Sequence, residues 1–292
     1  MAQETVGIIG VGLMGLGIAT NVQKAGYALH FLDHPGNQPT KKLAEQGAIA
    51  HTSAEALAAA CDKVILCVTG APQVEAVIAG PTGVLSGLKP GSLIIDCSTS
   101  LPDVSRKMAS AVQDKGGRYI DAPMTRTPKE AAEGRLNLIV GGAAGDIENA
   151  RPVLESFSEN ISLAGEIGTG HTMKLLHNFV SLGFSAVLTE AAAVARDSGV
   201  TGEVFQEILA KGGGAGVVLD RLTPYILQDD CGAFLFSLSN CSKDTGYYRD
   251  MVEQVGSAHG MADAVEHLYS SMAEKGHGEV YVPELIELLR KG

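Results

Sequence analysis

The sequence is poor in positive charge. Its 292 residues include 22 Lys and Arg against 33 Asp and Glu, which gives a formal net charge of -11. Nucleic-acid binding depends on clustered Lys and Arg side chains that neutralise phosphates, so we expect no nucleic-acid partner. A small anionic substrate remains compatible with this balance, because a few local cations are enough to hold one.

Cysteine is scarce, and the spacing of the cysteines matches no metal-binding or disulfide pattern. The cysteines lie at positions 61, 67, 97, 231 and 241, and no two of them form a CxxC pattern. This odd, scattered set argues against a structural zinc site and a disulfide framework, and it favours a reducing compartment. The chain does not begin with a basic segment followed by an apolar core. We therefore expect no secretory signal and a cytoplasmic location.

Long uninterrupted apolar runs are also lacking. The strongest candidate for a membrane span is residues 175–195, which His177, Asn178 and Glu190 interrupt. Such polar side chains are costly within a bilayer. We interpret the segment as a buried helix of a soluble protein and predict no membrane contact.

What the sequence does contain, through its first half, is an alternation of short Val, Ile and Leu runs with helical patterns. Continuous apolar strands separated by helices are typical of a parallel sheet covered on both faces. This pattern predicts an N-terminal Rossmann-type, doubly wound α/β sheet. The predicted strands are 5–9, 28–32, 64–68, 93–96, 118–121 and 136–140, and the predicted helices are 14–25, 53–60, 73–79 and 103–115.

The pattern changes after about residue 165, where helices are predicted without any strand. The predicted helix over 171–198 is apolar around most of its circumference. Such a helix has to be covered by other elements on most sides. We predict a dinucleotide-binding domain over 1–165 and an all-α domain over 166–292, with this helix between them. We also predict a homodimer or homotetramer, with the same helix as part of the subunit interface. The other predicted helices lie near 201–210, 217–227, 236–255, 260–275 and 283–290.

A glycine-rich turn, GVGLMG, follows the first predicted strand and begins a helix. Its first glycine permits a tight turn, its second lets the backbone approach a pyrophosphate, and its third allows close packing of helix on strand. The helix N-terminus adds N–H groups and a partial positive charge. A purely structural turn needs no such spacing, so the motif predicts dinucleotide binding. The residues predicted to contact the cofactor here are Gly10, Gly12, Leu13, Met14 and Gly15.

An acidic residue, Asp33, ends the second predicted strand. A carboxylate at this place accepts hydrogen bonds from the hydroxyls of an adenosine ribose. It would repel a 2′-phosphate, and the next three residues bring no Arg to hold one. We therefore predict NAD as the cofactor. NADP stays possible, because Lys41 and Lys42 follow and could bend back.

The segment GTGHTMKLLHN, residues 168–178, offers a group for proton transfer. A nicotinamide enzyme needs such a group to move the hydroxyl proton while hydride moves to the ring. Lys174 and Asn178 are four residues apart and share one helix face, with His171 one turn earlier. A lysine at a helix start is usually solvated, but this one lies in an otherwise apolar helix. We predict a catalytic role for it.

Five separated segments resemble the β-hydroxyacid dehydrogenase family, which includes 3-hydroxyisobutyrate dehydrogenase and tartronate semialdehyde reductase. The resemblance extends over essentially the whole chain. The segments are GIIGVGLMG at 7–15, DCSTS at 96–100, DAPMTRTPKEAAEGRLNLIVGG at 121–142, GTGHTMKLLHN at 168–178 and FSLSNCSKDTG at 236–246.

The resemblance implies an NAD(P)-dependent oxidoreductase that interconverts a small β-hydroxy acid and its semialdehyde or keto acid. It implies that Lys174 is the general acid/base, that Asn178 orients it, and that Lys243 contacts the cofactor or the substrate. Further residues are implied on the cofactor side (Val68, Thr69 and Thr99) and on the substrate side (Ser98, Thr125, Arg126 and Thr127, with Lys174 and Asn178).

The chain departs from the family pattern at Thr125-Arg126-Thr127, where Ser-Gly-Gly is usual. The Arg126 guanidinium suits a carboxylate, sulfonate or phosphate, and an Arg-Thr pair here is similar to sulfolactaldehyde reductases of the same family. A sulfonated or doubly anionic substrate is thus an alternative, unless Arg126 points to solvent. An imine reductase and a non-catalytic NAD(P)-binding interaction module are further alternatives. Lys174 argues against both, because such relatives generally lack it.

Overall fold

The structure is a computed structural model that describes residues 4–290. The chain divides into two compact units, Met1–Lys174 and Leu175–Gly292. The boundary between them falls inside one long helix, α9 (Thr169–Asp197).

The first unit holds a mixed sheet of nine strands within the described residues. The spatial order is β3-β2-β1-β4-β5-β6-β8-β7, and β9 pairs with β8. The strands from β1 to β6 run parallel, whereas β8 is antiparallel to β6 and β7. The strands are β1 (Thr5–Ile9), β2 (Ala28–Leu32), β3 (Ile49–His51), β4 (Lys63–Leu66), β5 (Leu93–Asp96), β6 (Arg118–Asp121), β7 (Met124–Thr125), β8 (Leu136–Gly141) and β9 (Ser158–Gly165).

The order 3-2-1-4-5-6 is that of a Rossmann fold, and its strand order reverses between β1 and β4. Helices cover both faces, as predicted: Ile65 on β4 packs into one core, while Val64 and Leu66 pack into the other. The helices of this unit are α1 (Leu13–Lys24), α2 (Lys41–Glu45), α3 (Ala54–Ala60), α4 (Ala71–Ala79), α5 (Val84–Gly87), α6 (Pro102–Asp114), α7 (Pro128–Glu133) and α8 (Ala144–Glu155).

The second unit is helical, as predicted. Its described residues add a single isolated β-bridge, between Ser237 and Tyr281. After α9 come α10 (Gly202–Ala210), α11 (Val217–Gln228), α12 (Leu238–Val255), α13 (Gly260–Met272), a π-helical turn (Ala273–His277), a 3-10 turn (Val282–Glu284) and α14 (Leu285–Leu289).

Three strands were missing from the sequence prediction: β3, β7 and β9. The side chains of Ile49 and Ala50 on β3 are exposed, and most of those on β9 are too. β7 has only two residues. Edge strands of this kind bury few side chains and therefore leave no apolar run in the sequence.

Helix α9 has the length and apolar composition that a membrane-spanning helix requires. Its residues Leu182, Ala186 and Leu188, however, are buried in the core of the second unit. We therefore interpret α9 as a core helix of a soluble protein.

Candidate active site

The glycine turn links the end of β1 to the start of α1. Gly10 has a φ of +97°, and a Cβ on it would lie 2.3 Å from the Cys67 carbonyl oxygen. A Cβ on Gly15 would lie 1.9 Å from the Gly10 carbonyl oxygen. These two glycines are thus required by the packing of the turn. Apart from its own chain neighbours, no described residue has a heavy atom within 4 Å of the Cβ position of Gly12, so this glycine leaves open space at the N-terminus of α1.

The loop after β2 is tied to the glycine turn through Asn37. Its Oδ1 accepts from the Val11 N–H at 3.3 Å, and its Nδ2 donates to the Leu32 carbonyl at 2.9 Å. Asp33, at the carboxyl end of β2, is exposed, and its own N–H donates to the His51 carbonyl. Asn37 was not among the predicted residues, because a lone loop asparagine carries no motif.

These features fit a dinucleotide. The N-terminus of α1 has no acidic residue in its first turn and no side-chain cap, so its N–H groups suit a pyrophosphate. The exposed Asp33 follows β2, and in dinucleotide-binding folds an acidic residue after the second strand holds a ribose. Next to β1, the end of β4 leads to Val68, whose N–H donates to Ser98 Oγ at 3.1 Å, and to the exposed Thr69.

The carboxyl end of β5 carries a buried hydrogen-bonded carboxylate, Asp96. Its Oδ1 accepts from the Ser98 N–H at 3.0 Å, and its Oδ2 accepts from the Tyr119 hydroxyl at 2.9 Å. Burial and the nearby Asp96 charge hold the pKa of the Tyr119 phenol well above its usual range. This pair fixes the loop that contains Ser98 and Thr99.

The start of α9 is attached to the end of β6. Asp121, fully buried, accepts from the backbone N–H groups of Gly168 and His171, each at 2.8 Å. The His171 ring lies between Ser105 Oγ, 2.6 Å from Nδ1, and the Ser98 carbonyl, 3.0 Å from Nε2. Burial raises the pKa of Asp121, although the two N–H donors act in the opposite direction.

The predicted substrate residues 125–127 form a turn in which two side chains are already engaged. Arg126 has a φ of +82°, and its guanidinium contacts both the Arg135 carbonyl and Glu159. The hydrogen bond from Arg126 lowers the pKa of Glu159. Thr127 donates through its N–H and its hydroxyl to Glu130, at the start of α7.

In the second unit, a buried carboxylate joins two predicted residues. Asp244 Oδ2 accepts from Asn178 Nδ2 at 2.6 Å, and Asp244 Oδ1 lies 3.2 Å from the Lys243 ammonium. That ammonium also lies 5.9 Å from the centroid of the Tyr247 ring. Asp244 was not a predicted site residue, although it stands beside Lys243 in a segment that resembles the family.

Comparisons with known proteins agree with this geometry. Residues 5–165 match the NAD binding domain of 6-phosphogluconate dehydrogenase, and residues 168–289 match the NAD-binding domain of NADP-dependent 3-hydroxyisobutyrate dehydrogenase. The chain belongs to the β-hydroxyacid dehydrogenase family. It is an NAD(P)-dependent oxidoreductase, and NAD is the supported cofactor, with NADP possible.

Three relatives illustrate the range of this dehydrogenase family. An NAD-dependent L-serine dehydrogenase of Pseudomonas aeruginosa is 30% identical over 284 residues, which are 94% of each chain. A 2-(hydroxymethyl)glutarate dehydrogenase of Eubacterium barkeri is 33% identical over 243 residues, covering 82% of this chain and 80% of the relative. A solved Mycobacterium tuberculosis 3-hydroxyisobutyrate dehydrogenase with L-serine is 25% identical, with a TM-score of 0.87 over 99% of this chain and 100% of that one.

Within this dehydrogenase, Lys174 belongs to the first unit, whereas Asn178 and Lys243 belong to the second. The other predicted site residues all lie in the first unit. Among the described residues, no three His, Cys, Asp or Glu side chains are arranged to hold a metal ion.

Proposed function

We propose that this dehydrogenase interconverts a small β-hydroxy acid and its semialdehyde or keto acid, with Lys174 as the general acid/base. One observation carries the proposal. The first turn of α9 is attached to the carboxyl ends of β5 and β6 through Ser98 and Asp121. This attachment supports a position for Lys174, one turn further on, at the carboxyl end of the sheet, where the glycine turn also lies.

When bound, NAD supplies the hydride acceptor. In oxidation the neutral Lys174 amine accepts the hydroxyl proton, and in reduction its ammonium donates a proton to the forming alkoxide. Oxidation should therefore become faster as pH rises, and reduction slower. Asn178 and Lys243, joined by Asp244, are proposed to contact the substrate and the cofactor.

The substrate class is supported by two relatives whose names specify β-hydroxy acids: L-serine and 2-(hydroxymethyl)glutarate. For the carboxylate, we propose Ser98 and the Thr125–Thr127 turn. The Arg126 guanidinium is paired through Nη1 with Glu159, and this carboxylate offsets its charge and would repel a further anionic group. We therefore favour a monoanionic hydroxy acid over a sulfonated or doubly anionic one.

We propose NAD rather than NADP. The exposed Asp33 carboxylate suits a ribose and would repel a 2′-phosphate, whereas the Lys41 ammonium lies 3.7 Å from the Glu45 carboxylate.

We also propose a cytoplasmic location, a boundary at about residue 165 between the dinucleotide-binding domain and the helical domain, and a homodimer or homotetramer. The last is supported by an exposed apolar stripe on α9 with a spacing of seven residues, formed by Met173, Val180, Val187 and Val194.

The test measures NAD reduction with a panel of hydroxy acids: 3-hydroxyisobutyrate, glycerate, L-serine, 4-hydroxybutyrate, sulfolactate and threonate. With the best substrate, Lys174→Ala should lower kcat by at least about a hundredfold, as expected for loss of a general acid/base. The dissociation constant for NAD should stay within about twofold, because a dinucleotide is held mainly by the glycine turn.

The matched control is Lys211→Ala, which removes an exposed lysine directly after α10 that pairs with Glu207. It should leave kcat unchanged. Wild-type activity in Lys174→Ala would exclude the proposed acid/base. No activity of the wild-type protein with any hydroxy acid in the panel would contradict the proposed reaction.

A further inference from the structure

We propose that Asp121, His171 and Ser105 are positioning residues that fix the first turn of α9 and thereby aim the Lys174 amine. This inference rests on the proposed role of Lys174. It assigns a function to three buried polar side chains that the proposed reaction does not otherwise use.

Asp121 fixes the N-terminus of α9. Its two carboxylate oxygens accept separately from the N–H groups of Gly168 and His171, donors that a helix cannot satisfy by itself. Its negative charge also interacts favourably with the positive end of the helix dipole. The approach is close, because a Cβ on Gly170 would lie 2.6 Å from Asp121 Oδ2. The first turn can therefore move little along or away from β6.

His171 attaches the same turn to two further elements. Because the Ser98 carbonyl can only accept, the ring nitrogen Nε2 carries a hydrogen and donates to it. Nδ1 can then accept from the Ser105 hydroxyl on α6 at 2.6 Å. The ring and both partners are almost completely buried. Attachments to β6, to the loop after β5 and to α6 fix the rotation of the turn about its axis as well as its position.

The rotation of this turn decides where Lys174 points. Lys174 follows His171 by three residues, which is about 4.5 Å along a helix axis, so its Cα moves with the anchored turn. Proton transfer requires an approach of about 3 Å between the heavy atoms, and a misplacement of about 1 Å can lower a rate by a hundredfold.

A purely structural role explains these residues less well. Buried hydrogen-bonded groups add little stability compared with apolar side chains of the same shape. Their directional bonds instead select one geometry. Here the hydrogen bonds of Asp121, His171 and Ser105 select one geometry for the helix turn that precedes Lys174, the proposed acid/base.

The first test uses substitutions that keep or remove these bonds. His171→Gln retains one donor and one acceptor at a similar spacing, whereas His171→Ala retains neither. We expect His171→Ala and Ser105→Ala to lower kcat by about ten- to a hundredfold. Their KM and their dissociation constant for NAD should stay within about twofold of the wild-type values. His171→Gln should retain most of the wild-type kcat. Ser110→Ala, the same change at an exposed position of α6, should have no effect.

A second test separates positioning of Lys174 from general damage. If His171 acts through Lys174, His171→Ala should lower kcat by less than about twofold when Lys174 is already Ala, because the coupled effects do not add. Amide hydrogen exchange in residues 168–176 should also become faster in His171→Ala and Ser105→Ala than in Ser110→Ala. This readout needs neither cofactor nor substrate.

The two proposals fail differently. Equal kcat values in an active wild type, His171→Ala and Ser105→Ala would overturn the positioning role and leave the reaction intact. Full additivity with Lys174→Ala would overturn it too. An inactive wild type would overturn the reaction, while hydrogen exchange would still show whether the turn is anchored as described.

Discussion

The glycine turn after β1 and the Thr125–Thr127 turn after β7 are both sharp turns in the first unit, but different forces shape them. In the glycine turn the backbone packs against itself, and a Cβ on Gly10 or Gly15 would meet a carbonyl oxygen. In the Thr125–Thr127 turn, Arg126 adopts a positive φ and is held by Glu159 and the Arg135 carbonyl.

The difference explains why one turn is so much easier to interpret than the other. A cofactor turn made by backbone shape allows only glycine at fixed spacings, so its sequence reveals its function. The Thr125–Thr127 turn is held by side chains, whose direction depends on partners far along the chain. Glu159 is 33 residues from Arg126, and no local pattern predicts that pairing.

The largest expected effect separates the two kinds of glycine within the first turn. Gly15→Ala should lower the free energy of unfolding by about 3 kcal/mol or more, because its Cβ overlaps backbone that cannot move aside. Gly12→Ala should cost less than about 1 kcal/mol, since its Cβ would enter open space. It should nevertheless weaken NAD binding by about tenfold or more, because a methyl group would occupy the space left for the pyrophosphate.

Urea denaturation without cofactor and titration with NAD measure these two effects separately. Equal stability losses in the two variants would remove the distinction between a glycine required by packing and a glycine required by the ligand.

The sequence predicted the regular part of the fold well. The strands β1, β2, β5 and β6 lie within the predicted ranges. β1 and β5 consist mostly of apolar residues, as is usual for a strand that is buried on both faces. The edge strands β3 and β9 lack that signal. Their pairing depends on neighbours that the sequence does not place beside them.

The sequence predicts those residues of the candidate site that belong to a local motif. It does not predict those whose place depends on tertiary contacts. The glycines lie between β1 and α1, and Asp33 follows β2, while their contacts with a cofactor stay predictions. Asp121 and Asp244 were not predicted, because a buried carboxylate has no local signature until its donors are known, and those donors lie 47 and 66 residues away. Both aspartates do lie in segments that resemble the family.

A smaller effect tests recognition by a side chain on the cofactor side. Asp33→Ala should improve the use of NADP relative to NAD by about tenfold, because the exposed Asp33 carboxylate repels a 2′-phosphate and tenfold corresponds to about 1.4 kcal/mol. The ratio of kcat/KM for the two cofactors measures this change. Lys41→Ala, at a side chain that is 86% exposed, should leave the ratio unchanged. If it lowered the use of NADP, this lysine would have to bend back to a 2′-phosphate.

The smallest effect tests the Thr125–Thr127 turn. A non-glycine residue at positive φ is strained by roughly 1 kcal/mol, and the half-exposed ion pair of Arg126 with Glu159 contributes about 0–1 kcal/mol in return. Arg126→Ala keeps the strain and loses the ion pair, whereas Arg126→Gly loses both. Urea denaturation should therefore show Arg126→Gly to be about 1 kcal/mol more stable than Arg126→Ala and close to wild type. If Arg126→Gly were instead the less stable variant, backbone strain would not distinguish this turn from the glycine turn.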